Sequence, residues 1–116
     1  MLKTMSRLYR ILFSNNIKSL FFKTYLKEYG IDLSMIERSN VCPFCLKKYK
    51  NIYVHLSKCR EAVIMLKEIE EVWKKAREEI HNIKKYSYYY YCRSCQRRFA
   101  TFYDALVFIV RQYIKQ

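Results

Sequence analysis

The chain has 116 residues, 23 of them Lys or Arg against 10 Asp or Glu, a formal net charge of +13, and 52% hydrophobic residues with one glycine and one proline. So little glycine and proline in so apolar a chain argues against disorder and against a turn-rich all-β fold, and no apolar run approaches the roughly 18–20 residues of a membrane span. Five cysteines cannot all pair within one chain, which speaks against a secreted disulfide framework.

The opening residues, Met1 to Arg10, are basic, but the apolar stretch after them is short and broken by Ser14, Asn15, Asn16 and Lys18, with no small-residue cleavage site. No signal peptide is read, and the expectation is a soluble, intracellular protein of the cytoplasm with no membrane partner. At this size the chain is about one small domain, which profits from a staple such as a metal ion. The charge, with a sequence pI near 9.6, points to a polyanionic partner, nucleic acid first. Residues 39–60 carry five basic and no acidic residues and residues 80–116 seven and one, whereas residues 61–79 carry four and six. The excess lies around the cysteines.

Four segments follow in chain order. Residues 1–38 are predicted to form two or three short helices: Ile17, Leu20, Phe21, Tyr25 and Leu26 recur at helical spacing behind the cap candidates Asn15 and Asn16, and Gly30 supplies a stop. Asp32 or Ser34 then opens one more turn through Met35 and Ile36.

Residues 39–60 hold the clearest chemistry. Cys42-Pro43-Phe44-Cys45 places two thiolates on a tight knuckle, and His55-Leu56-Ser57-Lys58-Cys59 places an imidazole and a third thiolate one helical turn apart. Cys42, Cys45, His55 and Cys59 thus supply the four ligands of a closed tetrahedral zinc site. A closed set leaves no position for substrate, so the zinc is read as structural. Tyr49 and Ile52 stand where a ββα unit keeps its small core. Nine residues separate Cys45 from His55, fewer than a groove-reading finger has. Counted back from His55, the base-reading places of a recognition helix fall at Lys48, Asn51 and Val54.

Residues 61–86 are predicted to form a long amphipathic helix. Ala62, Leu66, Ile69, Trp73, Ala76, Ile80 and Ile83 alternate spacings of four and three, supported by the i,i+4 pairs Glu70/Lys74, Glu71/Lys75 and Lys74/Glu78. The stripe is either a homodimeric seam over residues 62–83 or a face buried against the N-terminal helices.

In residues 87–116, the β-prone run Tyr86 to Tyr91 leads into a predicted hairpin turning at Cys92-Arg93-Ser94-Cys95, followed by a helix over 101–113 with Ala105, Leu106, Ile109, Val110 and Tyr113 on one face. This unit reads as a diverged copy of the first, with its back ligands lost near residues 109–114. Three states are open for Cys92 and Cys95: a half-site completed by His81 and a carboxylate such as Asp104, a pair of reduced thiols, or a disulfide. Arg93, Arg97 and Arg98, with Tyr88, Tyr90, Phe102 and Tyr103 nearby, form a phosphate-and-stacking candidate.

Cys-x2-Cys-x9-His-x3-Cys resembles zinc fingers of the C2H2/C2HC class. Two finger-like units, one degraded, on a Lys/Ile/Tyr-rich chain resemble the small zinc-finger proteins of crenarchaeal viruses and plasmids. That resemblance implies a DNA-binding transcription regulator, working in the host cytoplasm if viral; compact C2HC fingers also occur as protein-binding modules.

The expected fold is mainly α with small β-hairpins (α+β): a ββα-like finger, a long central helix, and a second, degenerate ββα unit. The expected partner is nucleic acid, double-stranded DNA, held through Lys47, Lys48, Lys50, Asn51, Arg93, Arg97 and Arg98. No acid/base pair, glycine-rich phosphate loop or open metal site suggests an enzyme. The alternative is a zinc-stabilised adaptor or inhibitor of a host complex.

Overall fold

The computed structural model describes residues 14–114, and the part of the N-terminal segment before Ser14 lies outside it. The described residues form five helices and one three-stranded antiparallel sheet, an α+β arrangement. Helix α1 spans Ile17–Glu28, α2 Ser34–Ser39, α3 Ile52–Leu56, α4 Arg60–His81 and α5 Phe102–Ile114; strands β1 Ile83–Lys85, β2 Tyr90–Cys92 and β3 Arg97–Phe99 pair in sequence order.

Asn16 caps α1, its side-chain oxygen accepting from the Ser19 N–H at 2.8 Å, which satisfies one of the free donors of the first turn. The chain leaves the helix through Gly30 at φ 94°, a conformation that costs glycine little. Asp32 then accepts from both the N–H and the hydroxyl of Ser34, at 3.0 and 2.6 Å, and starts α2. The buried face of α1 is Phe21, Phe22, Tyr25 and Leu26. Ile17, expected inside, is exposed, and Phe22 takes a core place that the spacing had not assigned.

The 22 residues of α4 bury Ala62, Leu66, Ile69, Trp73, Ala76 and Ile80, six of the seven positions expected. Ile83 is the exception. The helix ends at His81, and Ile83 begins β1 opposite Cys92, because the backbone there pairs with β2 instead of continuing the helical ladder. The stripe packs within the chain against α1 and α5, with Phe21 and Trp73 rings 5.3 Å apart, so the face proposed as a homodimeric seam is occupied intramolecularly.

Of the expected i,i+4 pairs, Glu70 turns to Lys18 of α1 at 2.9 Å, and Lys74 meets Glu71 at 3.1 Å. Such exposed pairs add little stability. Helix α5 lies along α1 and α4, burying Ala105, Leu106, Ile109 and Val110. No helix among the described residues is long and apolar enough to cross a membrane.

Near the end of α5, the Tyr113 hydroxyl donates to Glu79 Oε2 of α4 at 2.5 Å. Burial and this bond push Tyr113 up to about 12, so its neutral form is favoured in the folded state. Its contribution is complete below the ordinary tyrosine range near 10 and is lost as pH rises through about 12. Tyr113→Phe should therefore cost about 1–2 kcal/mol at neutral pH and remove part of the alkaline loss of stability, both read from urea unfolding at several pH values.

Candidate metal centre

The first cysteine unit is built from backbone bonds around a tight knuckle. The Cys42 carbonyl accepts from the Leu46 N–H at 2.7 Å, the Cys42 N–H donates to the Lys47 carbonyl at 2.9 Å, and the Tyr49 N–H donates to the Asn40 carbonyl at 3.0 Å. The turn requires φ 63° at Leu46, which an L-residue adopts at a cost of about 1–2 kcal/mol. The expected hairpin is here reduced to a single bridge, Val41 to Lys48.

Helix α3 supplies His55 and then stops at Ser57; Cys59 stands outside it as the N-cap of α4. The last two candidate ligands are thus positioned by successive helices, His55 within α3 and Cys59 at the cap of α4.

The four donor atoms lie within 4.8 Å of one another. Cys42 Sγ and Cys59 Sγ are 3.7 Å apart, and Cys45 Sγ and His55 Nε2 are 3.4 Å apart. With metal–sulfur bonds of about 2.3 Å, the edge of a tetrahedral zinc site is about 3.8 Å between sulfurs and slightly less between sulfur and nitrogen. The cluster therefore fits zinc in donor type and in size.

Tyr49 closes the site from one side. Its ring stacks on the His55 imidazole, with centroids 3.6 Å apart and planes at 12°, and its hydroxyl lies 3.6 Å from Cys45 Sγ. Burial pushes the Cys42 thiol up to about 12, against the opposing pull of the Cys45 and Phe44 N–H groups. For Cys45, burial also opposes ionisation, but bonds from the Tyr49 hydroxyl and the Lys47 N–H, together with the neighbouring thiols, lower it overall. A metal must displace the Cys42 proton, which makes binding weaken as pH falls.

The second unit repeats the first at a constant offset of 50 residues. Cys92 and Cys95 match Cys42 and Cys45; Gln96 at φ 56° matches Leu46; and the Gln96 N–H donates to the Cys92 carbonyl at 2.8 Å. The pairs Tyr90–Phe99, Tyr91–Arg98 and Cys92–Arg97 of the β2–β3 ladder match Asn40–Tyr49, Val41–Lys48 and Cys42–Lys47. Thr101 caps α5 through a 3.0 Å bond from the Asp104 N–H, as Asn51 caps α3 through a 3.4 Å bond from the Val54 N–H.

On this register His55 corresponds to Ala105 and Cys59 to Ile109, which are 0% and 2% exposed. The lost ligand positions are therefore 105 and 109, not 109–114. The usual finger spacing is longer than the nine residues that separate Cys45 from His55 in this chain, which displaces the expected positions toward the C-terminus. The signal was available in Tyr53/Tyr103 and Leu56/Leu106, identical at the same offset.

Of the three states open for the second pair, the structure has the disulfide Cys92–Cys95, with Cα atoms 5.2 Å apart. His81 does not join it: its ring lies edge-on to Trp73 at 5.9 Å. Among the described residues, neither His81 nor Asp104 belongs to a cluster of three or more metal-ligating side chains.

The base-reading positions are not arranged as expected. Helix α3 begins only at Ile52, so Lys48 and Asn51 precede it and Asn51 spends its carbonyl oxygen on the cap. Val54, the third, is on the helix and 40% exposed. Lys47, Lys48, Lys50, Arg93, Arg97 and Arg98 are all exposed. Comparison with protein-family models, curated proteins and solved structures finds no match to this chain.

The chain should bind one zinc per molecule, as measured by elemental analysis, and His55→Ala should abolish it while Cys92→Ser with Cys95→Ser leaves it intact. A strong chelator should release hydrogen-exchange protection in residues 41–59 and spare residues 90–110, where buried apolar side chains stand in for the back ligands. Ile109→Ala should cost about 2–5 kcal/mol without changing metal content.

Proposed function

We propose that this chain is a zinc-finger-like nucleic-acid-binding protein that engages double-stranded DNA mainly through its phosphates. The observation that carries the reading is the repetition of charge with structure. Lys47 and Lys48 of the first unit correspond to Arg97 and Arg98 of the second, at the same offsets after the same knuckle, and all four are exposed.

The two units stand at the two ends of α4: Cys59 caps its start, and Cys92 pairs with Ile83 two residues past its end. A 22-residue helix is about 33 Å long, close to the roughly 34 Å turn of B-form DNA. With α3 only five residues long and Asn51 engaged in its cap, phosphate contact is favoured over base reading. A role in transcription regulation belongs to the same reading, drawn from the resemblance to small viral and plasmid zinc-finger proteins. In this reading the metal holds structure and does no chemistry, since its four ligands close the tetrahedron.

An adaptor function is the second reading. It draws on Leu46, Val54, Val63 and Ile64, exposed apolar side chains on the first unit and the first turns of α4.

If phosphate contact dominates, log affinity for duplex DNA should fall linearly with log salt, with a slope of about −0.9 per phosphate neutralised. Lys47→Ala with Lys48→Ala, and separately Arg97→Ala with Arg98→Ala, should each flatten that slope and weaken all sequences alike. Fluorescence anisotropy over a salt series measures both. Absence of binding to DNA and RNA at low salt would leave the adaptor.

A further inference from the structure

The sheet has two faces of different character. On one, Cys92 is fully buried, Phe99 packs on Phe108 at 5.6 Å and Tyr90 on Phe102 at 6.1 Å, so α5 covers this side. Strand alternation turns the row Lys84–Tyr91–Arg98, which runs across all three strands in register, to the other side.

Lys84 and Arg98 are exposed and Tyr91 is half-buried. The Arg98 guanidinium lies 4.8 Å from the centroid of Tyr89, and the Tyr89 ring stacks on Tyr86 at 5.1 Å with 20° between planes. The connecting turn closes with the Tyr86 N–H donating to the Tyr89 carbonyl at 2.8 Å. It carries Tyr88 at its tip, 94% exposed. Of the aromatics expected to stack on bases, Tyr90 and Phe102 are spent on each other, and Tyr103 lies beneath Lys27 on α1, 5.8 Å from its ammonium.

We infer that this open face, Lys84–Tyr91–Arg98 with Tyr86, Tyr88 and Tyr89, binds single-stranded nucleic acid, its rings stacking on unpaired bases and its cations holding phosphates. The inference rests on the nucleic-acid reading above and narrows the partner of the second unit. The faces of duplex bases are covered by their neighbours, so a row of rings has nothing to stack on there. In a single strand every base offers a face, and stacking tolerates any sequence. Charge agrees: residues 83–99 contain five Lys and Arg and no Asp or Glu, which suits a polyanion and disfavours a basic or mixed protein surface.

The test titrates the zinc-loaded full chain into labelled oligothymidylate and, separately, into a duplex of mixed sequence, by fluorescence anisotropy at low salt. Tyr91→Ala and Tyr88→Ala should each weaken oligothymidylate binding about 5- to 100-fold and leave duplex binding unchanged, while Tyr91→Phe retains wild-type affinity. Tyr88 packs on nothing that holds the sheet, so its variant keeps the test decisive if Tyr91→Ala disturbs the hairpin. Duplex binding without oligothymidylate binding, or oligothymidylate binding indifferent to both alanine variants, would overturn the inference and leave the duplex reading standing. Failure of both ligands to bind would overturn the two together.

Discussion

The burial of one stripe on α4 is the constraint from which the remaining structure follows. Ala62, Leu66, Ile69, Trp73, Ala76 and Ile80 leave water only because α1 and α5 lie against them. At roughly 25 cal/mol per Å² of apolar surface, such burial outweighs the few exposed ion pairs along the helix. Once α1 and α5 are docked, the sheet is fixed beside α5 and the metal cluster at the first turn of α4. Ala62 and Ala76 are fully buried within the stripe, and the Trp73 ring lies against that of Phe21.

The repeated unit shows two physical solutions to one local problem. A knuckle, a short return and a helix start cannot bury enough apolar surface alone. In residues 42–59, helix α3 is too short to contribute much, and Cys42, Cys45, His55 and Cys59 converge into a cluster that could hold the pieces together on a metal ion. In residues 92–109, the same backbone bonds recur, but α5 extends over 13 residues into the main core. Ala105 and Ile109 replace the imidazole and thiolate with buried apolar contact, and Cys92 and Cys95 close on each other. A bridge across so short a loop removes little chain entropy, so packing carries this unit.

The ligand set was legible because metal chemistry leaves a rigid spacing, and the α4 stripe because helical periodicity persists over six turns. Strand β1 was not legible: Ile83, Lys84 and Lys85 continue a helical apolar pattern, and only their pairing with Tyr90–Cys92 makes them a strand. The disulfide stood among three alternatives, since sequence fixes neither redox state nor the distance of His81. The Asn51 amide suits a base edge as well as a helix cap, and residue type alone does not show that the chain uses it to accept from its own Val54 N–H. Phe22 and Ile17 exchanged places relative to expectation because the face of a three-turn helix is set by its neighbours.

Because Cys59 is both a candidate ligand and the cap of α4, and Ile83 stands two residues past the other end, α4 sets the rotational phase between the two cysteine units as well as their spacing. Each residue added within it would lengthen the strut by only about 1.5 Å but swing one unit round by about 100°. The same insertion would rotate half of the buried stripe off α1 and α5. Phase and packing are therefore locked to the same helical count, and a longer relative that kept both would need close to a whole number of turns, about seven residues at a time. Length variation between such proteins should accumulate in the turn after Lys85 and before α2, where neither count is at stake.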